Sequence, residues 1–174
     1  MIFRLAMWII MIFGGIAGGY YLDSLLFPEI HKSLIFHVLS FVLGVFLLNL
    51  VLRISRNTGR TLAKYGRKGE LKRLETNVLV KEGIYKYMRH PMHLGLMLFP
   101  LAFALMVGSL SFILIIAPIE ILLMLVLIRV VEEPEAIKKF GDAYLEYKKQ
   151  VPAFCLKIAC LKELLKEIPK NIMM

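Results

Sequence analysis

Residues 92–131 read MHLGLMLFPLAFALMVGSLSFILIIAPIEILLMLVLIRVV, with only Glu120 and Arg129 charged. A helix needs about 20 apolar residues to cross roughly 30 Å of hydrocarbon, so forty residues make two crossings. Lipid offers backbone amides no partners, which requires each arm to be helical. Gly108-Ser109-Leu110-Ser111 is the natural break, since small turn-forming residues punctuate an apolar run. The stretch predicts a transmembrane hairpin.

Toward the N-terminus, Ser33–Leu52 forms another uncharged stretch, and Leu5–Leu22 a third, just long enough to span. A secretory signal is the other reading of Leu5–Leu22, but no good small-residue cleavage site follows it. Four spans result, in an all-α, polytopic membrane protein with additional cytoplasmic and interfacial helices. Composition agrees: 59% of the 174 residues are hydrophobic and 20% charged, with a mean hydropathy of +0.71. A soluble domain of this size carries about 25% charge. The chain reads as one membrane domain: two spans in 1–52, a basic loop in 53–91, the hairpin in 92–131 and a polar segment in 132–174.

The net charge of +9 is concentrated between Arg53 and Arg89, where eleven basic and three acidic side chains leave +8. One basic block between apolar stretches marks a cytoplasmic membrane loop, and places both termini and the loop on the cytoplasmic side. Such a block also suits anionic head groups. This distribution excludes a nucleic-acid partner. Cys155 and Cys160, five apart, give neither a disulfide framework nor a metal set. Beyond Phe154, Ile158, Leu161, Leu165 and Ile168 fall on one helical face, with Lys157, Lys166 and Lys170 elsewhere. That pattern suits a helix lying in the membrane interface, or a solvated tail.

Three clusters carry possible chemistry, all on the cytoplasmic side. The first is GIYKYMRHP, residues 83–91, followed by Met92, His93 and Gly95. Pro91 suits a first helical turn. Arg89 and His90 then stand beside free amides at a helix start, a place that attracts carboxylates. A plain basic flank explains the same residues. The second cluster is Arg129, Glu132 and Glu133; Arg129 and Glu132 can pair at a spacing of three, and adjacent carboxylates invite a cation. The third, FGDAYLEYKKQVP (140–152), puts Tyr144 and Tyr147 on one face, as adenine caps or as interface anchors.

In this order and separation, the clusters resemble the isoprenylcysteine carboxyl methyltransferase and phospholipid methyltransferase superfamily over roughly Gly59–Phe154. The resemblance implies an S-adenosyl-L-methionine-dependent methyltransferase acting on a lipid or lipidated substrate drawn from the bilayer. It implies cofactor contacts at Asn77, Val78, Leu79, Val80, Tyr85, His90, Pro91, Met92, His93 and Glu132. It suggests Arg129 as a substrate clamp; an amine acceptor would also need a base, for which His93 or Glu133 is available. The leading acceptor is the carboxylate of a prenylated cysteine. Alternatives are an amine phospholipid, a nicotinamide-dependent reduction, or a four-span transporter built on Glu120. Relatives carry tyrosine where this chain has His93. The prenylcysteine enzymes' arginine falls at Ile128, one position before Arg129.

Overall fold

The computed structural model describes residues 2–67 and 76–166, and all regular structure among them is helical. Helix α1 covers Ile2–Leu26, a single turn, α2, covers Pro28–His31, and α3 runs from Leu34 to Tyr65. The hairpin follows as α4 (Pro91–Met97) and α5 (Phe99–Val107), then a continuous helix from Phe112 to Phe140. That helix contains α6 (Ala117–Leu127) and α7 (Glu133–Phe140), each preceded by a widened π turn, at Phe112–Ile116 and Ile128–Glu132. Two short helices close the described chain, α8 (Asp142–Gln150) and α9 (Ile158–Leu165).

Among the described residues, three helices are long and apolar enough to cross a membrane: Ala6–Leu26, Leu34–Tyr65 and Phe112–Phe140. The fourth expected span, starting at Met92, is two short helices with a break at Leu98. Pro100 explains the break, because it lacks an amide and its ring crowds the carbonyl four residues earlier. The expected turn at Gly108 is present: Gly108 has φ 70° and its amide closes on the Ala104 and Leu105 carbonyls. Only glycine adopts that backbone without strain.

The chain divides into two compact units. The first contains Leu96–Val126, α1, α2 and the apolar part of α3. Its helices pack through small residues, as lipid-embedded helices do. A β-carbon on Gly44 would lie 2.6 Å from the Met106 amide nitrogen, and one on Gly15 would enter the Phe112 ring. Ser40 Oγ donates to the Leu105 carbonyl at 2.7 Å. Buried Asp23 accepts the Ser111 amide at 2.7 Å, which satisfies a free N–H at the start of the last long helix. Ile10, Phe13, Leu34, Ile35 and Phe46 are exposed, as lipid-facing side chains must be.

The second unit contains Leu52–Gly95 and the chain from Leu127 onward. Here the structure departs from the expected loop 53–91, because α3 continues thirteen residues into the basic block. Charge does not stop a helix. Val51, Ile54, Thr58 and Thr61 supply a buried face at helical spacing, and the Thr58 and Thr61 hydroxyls bond back to Ile54 and Asn57.

One correction concerns the C-terminal segment. Cys155 and Cys160 form a disulfide, with Cα atoms 6.0 Å apart, because the turn before α9 brings them within the range a disulfide requires. That pairing turns Cys160 inward, and it is buried with Leu164. The apolar face of Ile158, Leu161 and Leu165 is exposed on α9, where an interfacial helix would present it to the membrane. Ile168 and Lys170 lie outside the described residues.

Candidate active site

The site forms wholly within the second unit. Gly83, at φ 58°, starts a tight 3₁₀ turn to Lys86 that buries Ile84 and Tyr85. The chain then runs extended, and the Arg89 and His90 amides donate to the Pro152 and Ala153 carbonyls at 2.9 and 3.1 Å. The Arg-His-Pro motif is thus clamped to the Val-Pro segment sixty residues away. These amides are already bonded, Pro91 has none, and α4 has only seven residues. Of the helix start expected from the sequence, the Arg89 and His90 amides are thus engaged within the protein.

Arg89 is likewise committed to the protein. Its Nη2 donates to Glu133 Oε1 at 2.5 Å, and its Nη1 donates to the Lys148 carbonyl at 3.2 Å and to the Val151 carbonyl. Lys148 Nζ donates to the other Glu133 oxygen at 2.6 Å. Arg89 and Glu133 side chains are each 8% exposed, so this is a buried network in which each charge is hydrogen-bonded. Beneath it, Tyr147 hydroxyl donates to the Tyr85 carbonyl at 2.5 Å. Burial holds both the Tyr85 and Tyr147 hydroxyls far above the usual phenol range.

Beside the network stand two histidines and the other glutamate. His90 and His93 rings meet edge to face, 5.5 Å apart, and Phe154 lies 6.2 Å from His90. His90 Nε2 is 3.4 Å from Glu133 Oε1. Burial, reinforced by His93 and opposed by Glu133, lowers the His90 pKa to about 4, so its ring is neutral at pH 7. His93 Nε2 approaches Glu132 Oε1 at 3.6 Å, with 21% and 26% of these side chains exposed.

The π turn separates the two adjacent glutamates. The Glu133 amide bonds to the Ile128 carbonyl across the wide turn, so residues five apart share a face. Ile128 and Glu133 are both buried, Glu132 is half-buried, and Arg129 is exposed. Of the two bases considered for an amine acceptor, Glu133 has both carboxylate oxygens bound to cations, whereas His93 does not share that network. Arg129 stands away from the buried Ile128–Glu133 face. Asn77 and Val78 amides bond to the Gly66 carbonyl at the end of α3, and Val80 is buried against Gly66. Pro91 is buried and Met92 half-buried at the start of α4.

Lys148 is the contributor that sequence reasoning missed, and Tyr147, read as an adenine cap or interface anchor, donates to the Tyr85 carbonyl. Gly141, at φ 56°, reverses the chain between α7 and α8. This returns Lys148 to Glu133, fifteen positions earlier. The glycine itself was the available signal, as a helix end with φ above zero.

A helical membrane fold with a histidine–carboxylate pair over a buried charge network defines the class. Residues 33–143 match the family model described as phospholipid methyltransferase, and the chain belongs to that family. The fold is similar to a solved structure of the eukaryotic intramembrane Ras methyltransferase ICMT (isoprenylcysteine carboxyl methyltransferase), with TM-score 0.59 and 19% identity. The match covers 87% of this chain and 53% of that one, so the chain spans about half the length of that solved structure. No curated protein matches.

Proposed function

We propose that this integral membrane protein transfers a methyl group from S-adenosyl-L-methionine to a lipid or lipidated acceptor, with the site facing the cytoplasm. Family membership across residues 33–143 supports the reaction. The observation that carries the site is the half-exposed Glu132–His93 pair beside a neutral His90. The donor set fits this cofactor: an accessible carboxylate suits its ammonium and sulfonium, and a neutral imidazole adds no repelling cation. When bound, S-adenosyl-L-methionine supplies an electrophilic methyl group.

The chain's residues do the rest. Glu132 holds positive charge and orients His93. The Arg89–Glu133–Lys148 network fixes His90 and the Val-Pro segment, because direct displacement depends mainly on positioning. His93 accepts a proton when the acceptor is an amine, and Glu132 beside its Nε2 stabilises the imidazolium that results.

That proton acceptor favours an amine phospholipid. A carboxylate acceptor wants a free cation, yet Arg89 and Lys148 are bonded to Glu133. Prenylated cysteine is the second reading, supported by the likeness to the isoprenylcysteine enzyme and by Arg129 at the same helix end, exposed to an acceptor arriving from the bilayer. Calorimetric titration of the detergent-solubilised chain tests the cofactor. Saturable heat with S-adenosyl-L-methionine and none with a reduced nicotinamide is expected; the reverse excludes methyl transfer in favour of reduction.

A further inference from the structure

Helix α3 changes character abruptly without ending. From Leu34 to Leu52 it carries no charge; then Arg53, Arg56, Arg60 and Lys64 follow, and all thirty-two residues lack Asp and Glu. At about 100° per residue these four cations fall within an arc of roughly 80°. Val51, Ile54, Thr58 and Thr61 form the opposite, buried side. Arg53, Arg56 and Lys64 are exposed and Arg60 half-exposed. The result is a cationic ridge on the continuation of a membrane-spanning helix.

Its height above the hydrocarbon follows from the helix rise. If the apolar part ends at Leu52, Arg53 and Arg56 lie within about 6 Å of that boundary, at ~1.5 Å per residue. The head-group layer is roughly 5–8 Å deep on each side. Arg60, about 12 Å out, lies just past the layer, and Lys64 lies clearly beyond it. Long basic side chains also reach back toward the interface.

We propose that this ridge is a binding surface for anionic phospholipid head groups, centred on Arg53 and Arg56 and separate from the methyl-transfer site. Charge complementarity identifies the occupant, and continuity with the span fixes the ridge at the depth where lipid phosphates lie. An acidic protein segment would meet the same charge, but nothing ties such a segment to head-group depth.

The test measures the apparent Kd of phosphatidylglycerol for the full chain in neutral detergent, read from the shift in Tm, with uncharged diacylglycerol as the control. Each cation at an anionic surface contributes about fivefold, so Arg53→Gln/Arg56→Gln should weaken phosphatidylglycerol binding by at least about tenfold. Lys138→Gln/Lys139→Gln removes equal charge from exposed positions on α7 and should change Kd less than twofold. An unchanged Kd in the α3 variant, or an equal loss in the α7 variant, overturns the proposal. So does equal binding of diacylglycerol by the wild type. Should the α3 variant fail to fold, wild-type binding decides: it must weaken severalfold between low and 0.5 M salt, and insensitivity to salt refutes the ridge.

Discussion

Glu133→Gln keeps the shape of the side chain but removes the charge that Arg89 and Lys148 share. Arg89 and Glu133 are each 8% exposed, whereas the Lys148 side chain is 41% exposed and is rehydrated easily. The cost therefore falls mainly on Arg89, a guanidinium left buried beside a neutral amide. Breaking a buried ion pair by removing one partner costs about 3–5 kcal/mol, and surviving hydrogen bonds from Arg89 to the Lys148 and Val151 carbonyls place the loss near ~3. At roughly 2–4 °C per kcal/mol for a chain of this size, Tm in detergent should fall by about 6–12 °C. Arg89→Met/Glu133→Leu should be less destabilised than the sum of its single variants, since the double change leaves no orphaned charge. A Tm within 1 °C of wild type for Glu133→Gln, or strict additivity in the cycle, would refute the network as the element that holds the site together.

Three further outcomes are expected. His90 titrates near 6.5 when unfolded and is lowered to about 4 by burial when folded. Unfolding therefore takes up a proton between those values, so its contribution to stability is complete above pH 6.5 and lost as pH falls toward 4; His90→Gln should flatten the decline in Tm between pH 7 and 5. Gly83→Ala, at φ 58°, should cost about 1 kcal/mol or more, whereas Gly59→Ala, in mid-helix with nothing within 4 Å of the added β-carbon, should gain about 0.5–1; thermal unfolding of both variants decides. In a Cys155→Ser/Cys160→Ser background, Glu29→Cys should react with an impermeant thiol reagent outside intact cells and Lys86→Cys should not; the opposite pattern would remove the cytoplasmic assignment.

The membrane class and the hairpin turn at Gly108 were legible because uncharged runs and a glycine break act locally. The family was legible because Arg-His-Pro, Glu-Glu and the Tyr-rich Val-Pro segment keep their order across the hairpin. Less was visible where distant segments meet. Pro100 divided an expected span, and the inward face of α3 carried it past Arg53 despite the charge. The sequence treats Glu132 and Glu133 as equivalent neighbours; a π turn assigns one to a buried network and the other to an accessible histidine. Arg89 reads as an anion receptor until the Pro152 and Ala153 carbonyls and Glu133 are seen to occupy it. The disulfide was equally hidden, since spacing alone does not show the turn that joins Cys155 to Cys160.

Transfer of labelled methyl from S-adenosyl-L-methionine is the most direct measurement, with phosphatidylethanolamine and a short prenylated cysteine offered separately to wild type and Glu132→Gln. Label should enter the phospholipid with wild type. A charge-assisted hydrogen bond worth roughly 1.5–3 kcal/mol should make Glu132→Gln require about ten- to a hundredfold more cofactor. Label entering only the prenylated cysteine would keep the methyltransferase and replace its acceptor. Label in neither lipid, or Glu132→Gln behaving as wild type, would contradict the assignment of this site.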